Sequence, residues 1–559
     1  MNLIGNINAI PFRRFRGGGG AIPPFPSIPG TIARYSALGL TNEEMSKNPV
    51  WVDKTGNGHD LQMKNFAWGG MSGVNGYVQN FNYFRNNATV DKVRIDEQSS
   101  NSIKVTLLTS GMGHVIYIPK NIYQFNKSYF IKISSEGYNE GDLFLSFYAP
   151  STSTATTVKV PLNSNGITEI PAIKEDDFLA VYLFNAAGKV GSITIEQLPL
   201  YPGALVFDGV DDYGVCDNFP ILTKEKGYTV VALRQWITYN PNAISAIATN
   251  ASDQSFNGAF TFENYNKGAE QTISYGAIQI TLQYSKSPFS WQTTSKYNGV
   301  NIANGKKDAT NSLVLGRSYP QRNEFANFAI WELVFLDHDA TEEELTKIKD
   351  YFVKTYPWLF PDQAWTVVGK TNEDEDRATI ANITGNGNDL VLSNFGFAEG
   401  SGYNEEGEYA GYLVTDGVDD KVQSYRFTMN EDWTIVGDWE LLSNVQINCG
   451  IVKAQNVYLY NVANGLLISI NNPRSLQFFG TKSLHVICSD GRLYDRNWVE
   501  YEYTADQNFA IVESSLNIGF NLNNYTQIAF KNLGIYNNQI LSKDDCIKAY
   551  NYLQTLKAK

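Results

Sequence analysis

The segment Thr55–Leu61, TGNGHDL, recurs as TGNGNDL at Thr384–Leu390, and Phe207–Asp212, FDGVDD, recurs as TDGVDD at Thr415–Asp420. Two turn motifs repeated in the same order mean that the chain contains two copies of one module. The first pair is offset by 329 positions and the second by 208, so the first copy carries 121 residues between its motifs that the second lacks. That surplus, about Tyr77 to Leu200, is long enough to be a domain of its own. Downstream, SLVLGR at Ser312–Arg317 matches SLNIGF at Ser515–Phe520, and Thr341–Phe352 matches Ser542–Leu553 at an offset of 201.

Three units of roughly 120 to 200 residues suit a chain too long for one core. Aromatic residues make up 13 % of the 559, charged residues only 18 %, and there are 46 glycines. Rings and β-branched side chains fit a half-buried pleated surface, so this balance predicts β structure with many tight turns. A net charge of −13 repels phosphate over most of the surface, which argues against nucleic acid or an anionic membrane as partner. No run approaches about 18 to 20 apolar residues, and the N-terminus has no signal-type apolar core. The sequence thus predicts a soluble protein made without a Sec-type signal. Cys216, Cys449, Cys488 and Cys546 show neither CxxC spacing nor a nearby His pair, which argues against zinc and against a disulfide framework. Cys546 aligns with Leu345 and reads as a small buried apolar residue.

Residues 1–30 read as an extended arm, because four consecutive glycines and Pro23, Pro24, Pro26 and Pro29 suit neither helix nor central strand. Within it Phe12, Arg13, Arg14, Phe15 and Arg16 form a basic, aromatic stretch suited to anchoring on an acidic partner groove. The first module is then expected at 31–76 and 201–358, the inserted sandwich at 77–200, and the second module at 359–559. Strands are expected at Thr229–Trp236, Phe328–Leu336, Thr434–Leu441 and Ile528–Tyr536, and in the insertion at the runs SIKVTLL, HVIYI, SYFIKIS, LFLSFYA and TTVKVPL. Each module should close with a capped helix, from the box Thr341/Glu344 and the cap Ser542/Asp545.

The glycines and asparagine of TGNGxDL adopt positive φ cheaply, and the Asp that follows is placed to accept turn amides. In DGVDD the Asp-Gly pair makes a turn, Val210 or Val418 should point inward, and the carboxylates satisfy backbone donors. Calcium on Asp208, Asp211 and Asp212, or on Asp416, Asp419 and Asp420, is the alternative, but that ion takes about six or more oxygens and the string alone supplies at most three. The structural reading is preferred, and no metal or other cofactor is expected. The acidic stretch Asn372–Asp376 reads as an exposed loop. His59, His114, His338 and His485 are scattered, with Asn388 in place of His59, so no triad or metal cluster assembles from them.

A Trp-x-Asp lead, TGNGxDL, FDGVDDY, a run of strands and a capped T-x-E-E-E-L helix resemble the LamG-like jelly rolls of the concanavalin A-like lectin/glucanase superfamily. The second copy departs at Thr415 and Lys421, where the first has Phe207 and Tyr213. The resemblance implies an all-β fold: two concanavalin A-like jelly-roll β-sandwiches, the first interrupted by an inserted sandwich similar to a carbohydrate-binding module through NKSYFIKISSEG at Asn126–Gly137. Glucanases of that superfamily pair carboxylates as E-x-D-x-E on one strand, a string this chain lacks, so no enzyme and no catalytic residue is expected. The arm MNLIGNINAIPFRRFRGGGG with IARYSALGLTNEEMSKNPVWVDKTGNG resembles LamG-like virion proteins of crAss-like phages. That implies a head fibre made in the bacterial host cytoplasm, anchored to the capsid by its arm. It further implies a dimer or trimer that displays its sandwiches to surface glycans or the host surface; a tail fibre and a glycan depolymerase are the alternatives.

Overall fold

The computed structural model describes residues 22–558 except 87–91, 110–113, 149–155, 223–226, 239–244, 252–260, 266–278, 285–308, 318–322, 443–448, 471–476, 480–483, 503–511 and gaps of one or two residues. Nearly all regular structure is antiparallel β, as the aromatic, glycine-rich composition predicts. The chain divides into two compact units, one holding Ile28–Ile273 and Gln279–Glu344, the other Leu345–Lys559 with the stretch before Ile28. Among the described residues no helix is long and apolar enough to cross a membrane.

In the first unit one sheet runs Gln279–Tyr284, Thr229–Thr238, Asn327–Leu336, Leu205–Asp208, Gly73–Val74, with Thr31–Ser36 also on Asn327–Leu336. A second sheet runs Thr261–Tyr265, Ser245–Ala251, Ala309–Leu315, Tyr213–Cys216, Leu61–Lys64, Val50–Trp51. The second unit repeats both. Its first sheet takes Leu484–Cys488, Trp433–Leu441, Ile528–Asn537, Tyr412–Val414 and Gly402–Asn404 in that order, with Gln363–Thr366 on Ile528–Asn537. Its other sheet repeats the order through Val457–Val462, Cys449–Ala454, Leu516–Ile518, Lys421–Ser424, Leu390–Ser393 and Thr379–Ile380. The long central strands alternate, so that Trp433, Ile435 and Trp439 enter one core with Trp365, Phe530 and Ile535.

Two further sheets come wholly from Val93–Gln197. One is Thr156–Pro161, Leu143–Tyr148, Ala180–Asn185, His114–Val115; the other is Ile167–Ile170, Tyr129–Ser135, Gly191–Gln197, Ser102–Leu107, Val93–Gln98. They enclose their own core around Val105, Ile133, Phe147, Leu183 and Ile193. The chain enters and leaves this sandwich at one point. Leu200 N–H donates to Gly76 O at 2.9 Å and Tyr201 N–H to Asn75 O at 2.8 Å. The buried pair Gln79 and Gln197 exchange side-chain and backbone bonds at 2.9 and 2.8 Å. Because the ends meet, strands Gly73–Val74 and Leu205–Asp208 still pair with each other across the interruption.

Helix α1 is Asn42–Lys47, α2 is Glu342–Thr355 and α3 is Lys543–Gln554. The expected caps form: Glu344 N–H donates to Thr341 Oγ1 at 3.3 Å, Thr341 N–H to Glu344 Oε2 at 2.8 Å, and Asp545 N–H to Ser542 Oγ at 3.2 Å. The end of the arm is packed, not free. The Phe25 ring stands edge-on to Tyr351 of α2 at 5.1 Å, Ile28 is buried, and Asp337 N–H donates to Gly30 O at 2.9 Å.

Candidate functional site

The first motif is organised by a residue ahead of it. Asp53 Oδ1 accepts Arg34 N–H, Thr55 N–H and Thr55 Oγ1–H at 3.0, 3.0 and 2.8 Å, and Asp53 N–H donates to Asp60 Oδ1 at 2.8 Å. In the second copy Asn382 Oδ1 accepts Ala364 N–H, Thr384 N–H and Thr384 Oγ1–H at 3.3, 3.0 and 2.8 Å, and Asn382 N–H donates to Asp389 Oδ1 at 2.8 Å. An amide oxygen does the work of a carboxylate here, so holding the turn does not depend on the charge of this acid. Gly56 and Gly58 take φ near +80°, as do Gly385 and Gly387, which is what the glycine spacing predicts.

The second motif is held by its own amides and by residues that follow the first motif. Asp208 Oδ1 accepts Val210 and Asp211 N–H at 2.7 and 3.4 Å; Asp212 accepts Asp208 N–H on Oδ2 and Ser72 Oγ–H on Oδ1, both at 2.9 Å. Asp416, Asp420 and Ser401 repeat this at 2.7, 3.2, 2.7 and 3.0 Å. Asn65 and Asn394, just beyond the strands that follow the first motif, each brace this turn by donating to Asp211 O and Asp419 O at 3.1 and 3.0 Å. Burial pushes the Asp212 carboxyl up to about 8, helped by the charge of Asp208, and burial pushes Asp420 up to about 6. Each trio brings its ligand atoms within 4.8 Å, the arrangement the calcium alternative requires. Yet the buried oxygens already receive N–H and O–H donors, which supports the structural reading of the turn. Val210 and Val418, expected to point inward, are 71 % and 69 % exposed. They occupy the turn tips, where the Asp-to-amide bonds direct the side chain outward.

A cavity of about 460 Å³ opens beside the first turn, lined by Thr31, Ile32, Asn57, His59, Leu222 and Asp337 among others. The His59 ring stands edge-on to Phe219 at 5.5 Å, and its Nδ1 is buried with no hydrogen-bond partner among the described residues. What the two copies share at this position is a carbonyl: Tyr35 Oη–H donates to His59 O, and Trp365 Nε1–H donates to Asn388 O at 2.9 Å.

The anchoring residues Phe12, Arg13, Arg14, Phe15 and Arg16 lie outside the described residues, as do the side chains of His114 and Cys449. His338 is drawn upward by hydrogen bonds to Asp337 and then Glu344 at the start of α2. His485 stands against Tyr550 of α3, ring centroids 4.7 Å apart. Cys546 is buried, and so are Cys216 and Cys488. The acidic loop Asn372–Asp376 has a definite structural role: Asn372 Oδ1 accepts Tyr403 N–H at 2.8 Å and Thr371 N–H donates to Asp374 Oδ2 at 2.9 Å. Asn42 does the same with Val74 N–H at 2.7 Å, so TNEE at Thr41–Glu44 recurs as TNED at Thr371–Asp374. That recurrence was available in the sequence as a third repeated motif. A buried network around Asp438, which accepts Tyr412 Oη–H and Gln554 Nε2–H at 3.1 and 3.0 Å, had no such signal, since the first copy lacks it.

No protein-family profile matches the chain, and no curated protein matches it. Among solved structures it is similar to a mutant Trypanosoma rangeli sialidase displaying trans-sialidase activity, at 11 % identity over 41 % of each chain with a TM-score of 0.22. It is also similar to the tandem CBM22 domain of Paenibacillus barcinonensis Xyn10C, at 9 % identity over 49 % of this chain and 99 % of that one with a TM-score of 0.16. Truncated AlyQ, with CBM32 and alginate lyase domains, matches at 9 % over 60 % and 91 % with a TM-score of 0.18. Likeness at this level does not extend to a shared ligand or activity. It does correct one expectation: with a sialidase and an alginate lyase among the similar structures, the statement that the chain is no enzyme does not stand.

Proposed function

We propose that this chain is a glycan-binding surface protein of a virion, a capsid-attached head fibre whose basic arm anchors it and whose β-sandwiches face outward. The observation that supports the reading is the duplicated scaffold: both copies spend the polar groups of their repeated turns on holding the turns together, which leaves sheet faces and loops for display. The arm sequence supports the phage assignment through its resemblance alone, and Phe12, Arg13, Arg14, Phe15 and Arg16 are its anchoring residues in this reading. Multivalent display suits such a protein, because weak contacts repeated in a dimer or trimer and over many copies add up to firm adhesion. The test is twofold. Antibody-labelled electron microscopy should place the chain on particle heads, and the purified protein should bind a glycan array. Absence from purified particles together with a silent array refutes the reading, and loss of capsule viscosity on adding the protein would identify a depolymerase instead.

A further inference from the structure

The inserted sandwich has two outer faces that differ in kind. Its larger sheet follows the usual rule for an antiparallel sheet with one wet face: Ile103, Val105, Ile133 and Ile193 enter the core, and Lys104, Thr106, Lys132, Thr194 and Glu196 alternate outward. The smaller sheet breaks it. Leu143, Leu145, Phe147, Val181 and Leu183 fill the core, so by alternation Phe144, Ser146, Tyr182 and Phe184 point the other way. Register places Phe144 between Pro161 and Phe184, and Ser146 between Lys159 and Tyr182.

The result is a platform three strands wide and two rows deep, about 10 Å by about 7 Å from the strand spacing and rise. Tyr182 and Phe184 lie with ring centroids 6.3 Å apart, and the exposed Lys159 holds its Nζ 3.9 Å over the Phe144 ring. At its centre Ser146 is small and only 2 % exposed, so the rings and Lys159 form the surface there. Rings on a wet face cost solubility without adding to the core, which points to something that fits there.

We propose that this face binds a carboxylated pyranose glycan, the sugar's apolar face lying on Phe184 and Tyr182 and its carboxylate meeting Lys159. A pyranose is itself two-sided, with C–H groups on one face and polar groups round the rim, which matches rings bordered by a charged side chain. Lys159 is the one charged side chain that register places among these residues, which sets the sign of the ligand.

The site rests on the glycan-binding reading above and is separable from it. Affinity electrophoresis of the full chain should show retardation by polygalacturonate or by polysialic acid, the two arms distinguishing a hexuronate from a sialate, and none by dextran. Phe184→Ala should weaken binding at least tenfold. Lys159→Gln, at an exposed position that leaves folding intact, should weaken it severalfold, and less so at high salt. Retention by neither acidic polymer overturns the proposal, as does unchanged binding by both variants. If those variants still bind, the site falls and the glycan reading survives; if the wild-type chain binds nothing on a glycan array, both fall. A wild-type oligomer that Phe184→Ala converts to monomer also overturns it, because the face would then be a contact between copies.

Discussion

The carboxyl of Asp212 is fully buried and raised to about 8, which makes the stability of its module depend on pH in a definite direction. A carboxyl whose folded pKa exceeds its unfolded value favours folding while protonated; that contribution is complete below the unfolded value near 4 and is lost as pH climbs through about 8. From an ordinary value of 3.8 the rise is about 4 units, which at about 1.4 kcal/mol per unit gives a ceiling on the order of 5 kcal/mol. Water penetration and relaxation reduce this to a few kcal/mol. Asp212→Asn removes the ionisation and keeps both contacts, since its Oδ1 can accept Asp208 N–H while its Nδ2 donates to Ser72 Oγ. Denaturant unfolding of wild type and variant at pH 4.5 and pH 8.5 should therefore show near equality at the lower pH and an advantage for the variant of roughly 2 to 4 kcal/mol at the higher. Asp362, raised by burial to about 7, tilts both proteins alike, so the difference between them isolates residue 212. Asp420→Asn should give about half the gain, because Asp420 rises only to about 6. A variant advantage that does not grow between the two pH values refutes the argument.

Three further outcomes follow from contacts on the first module. Glu332 is 0 % exposed and takes Arg34 Nε and Nη2 at 3.1 and 3.0 Å, so Arg34→Met should cost about 3 to 5 kcal/mol in unfolding experiments, most of it regained in Arg34→Met/Glu332→Leu. Gly316 has φ +78° and a Cβ there would sit 2.6 Å from Phe207 Cδ1, so Gly316→Ala should cost about 2 to 4 kcal/mol. Gly56→Ala, at φ +81° with open space around it, should cost only about 1 kcal/mol, and equal melting shifts for the two would refute the steric account. Removing residues 1–21 should leave thermal melting unchanged, whereas removing 1–30 should lower it through loss of Phe25 and Ile28; equal melting of both truncations would refute this.

Periodicity and recurrence made much of this legible. The four long strands fall within two residues of their expected bounds, because β-branched and aromatic runs of that length admit few alternatives. The capped helices were equally plain, since a Thr or Ser three residues before an acid signals its own hydrogen bonds. The valines at 210 and 418 misled because hydrophobicity was weighed without the turn: once Asp208 and Asp416 accept the next amides, the third residue is at the tip whatever its polarity. Strands Ala180–Asn185 and Gly191–Gln197 escaped notice because the sequence shows no turn signal as strong as TGNG beside them. Ser72 and Ser401, which seat the buried carboxyls, were visible as a matching pair, but nothing in the sequence says what a serine 140 residues from Asp212 will touch.

Comparison of the two copies shows where the module tolerates change and where it does not. At the turns, Asp53 gives way to Asn382, Tyr35 to Trp365 and His59 to Asn388, and each exchange preserves the same hydrogen bond. Away from them the copies part: where the first strand set buries Glu332 against Arg34, the second has Asn532 donating to Leu553 O at 3.3 Å, and it adds the Asp438 network to which Gln554 of α3 contributes. Buried charge is hard to introduce by small steps, because each group is costly until its partner is present. Two copies that keep their turns and exchange their buried charges have therefore separated along the sheets. Differences in what each module meets should accordingly track sheet faces and helix seams, and a chimera that swaps only the TGNGxDL and DGVDD turns should keep the binding properties of the module that receives them. A chimera whose glycan or particle binding follows the transplanted turns would show that the turns carry recognition after all.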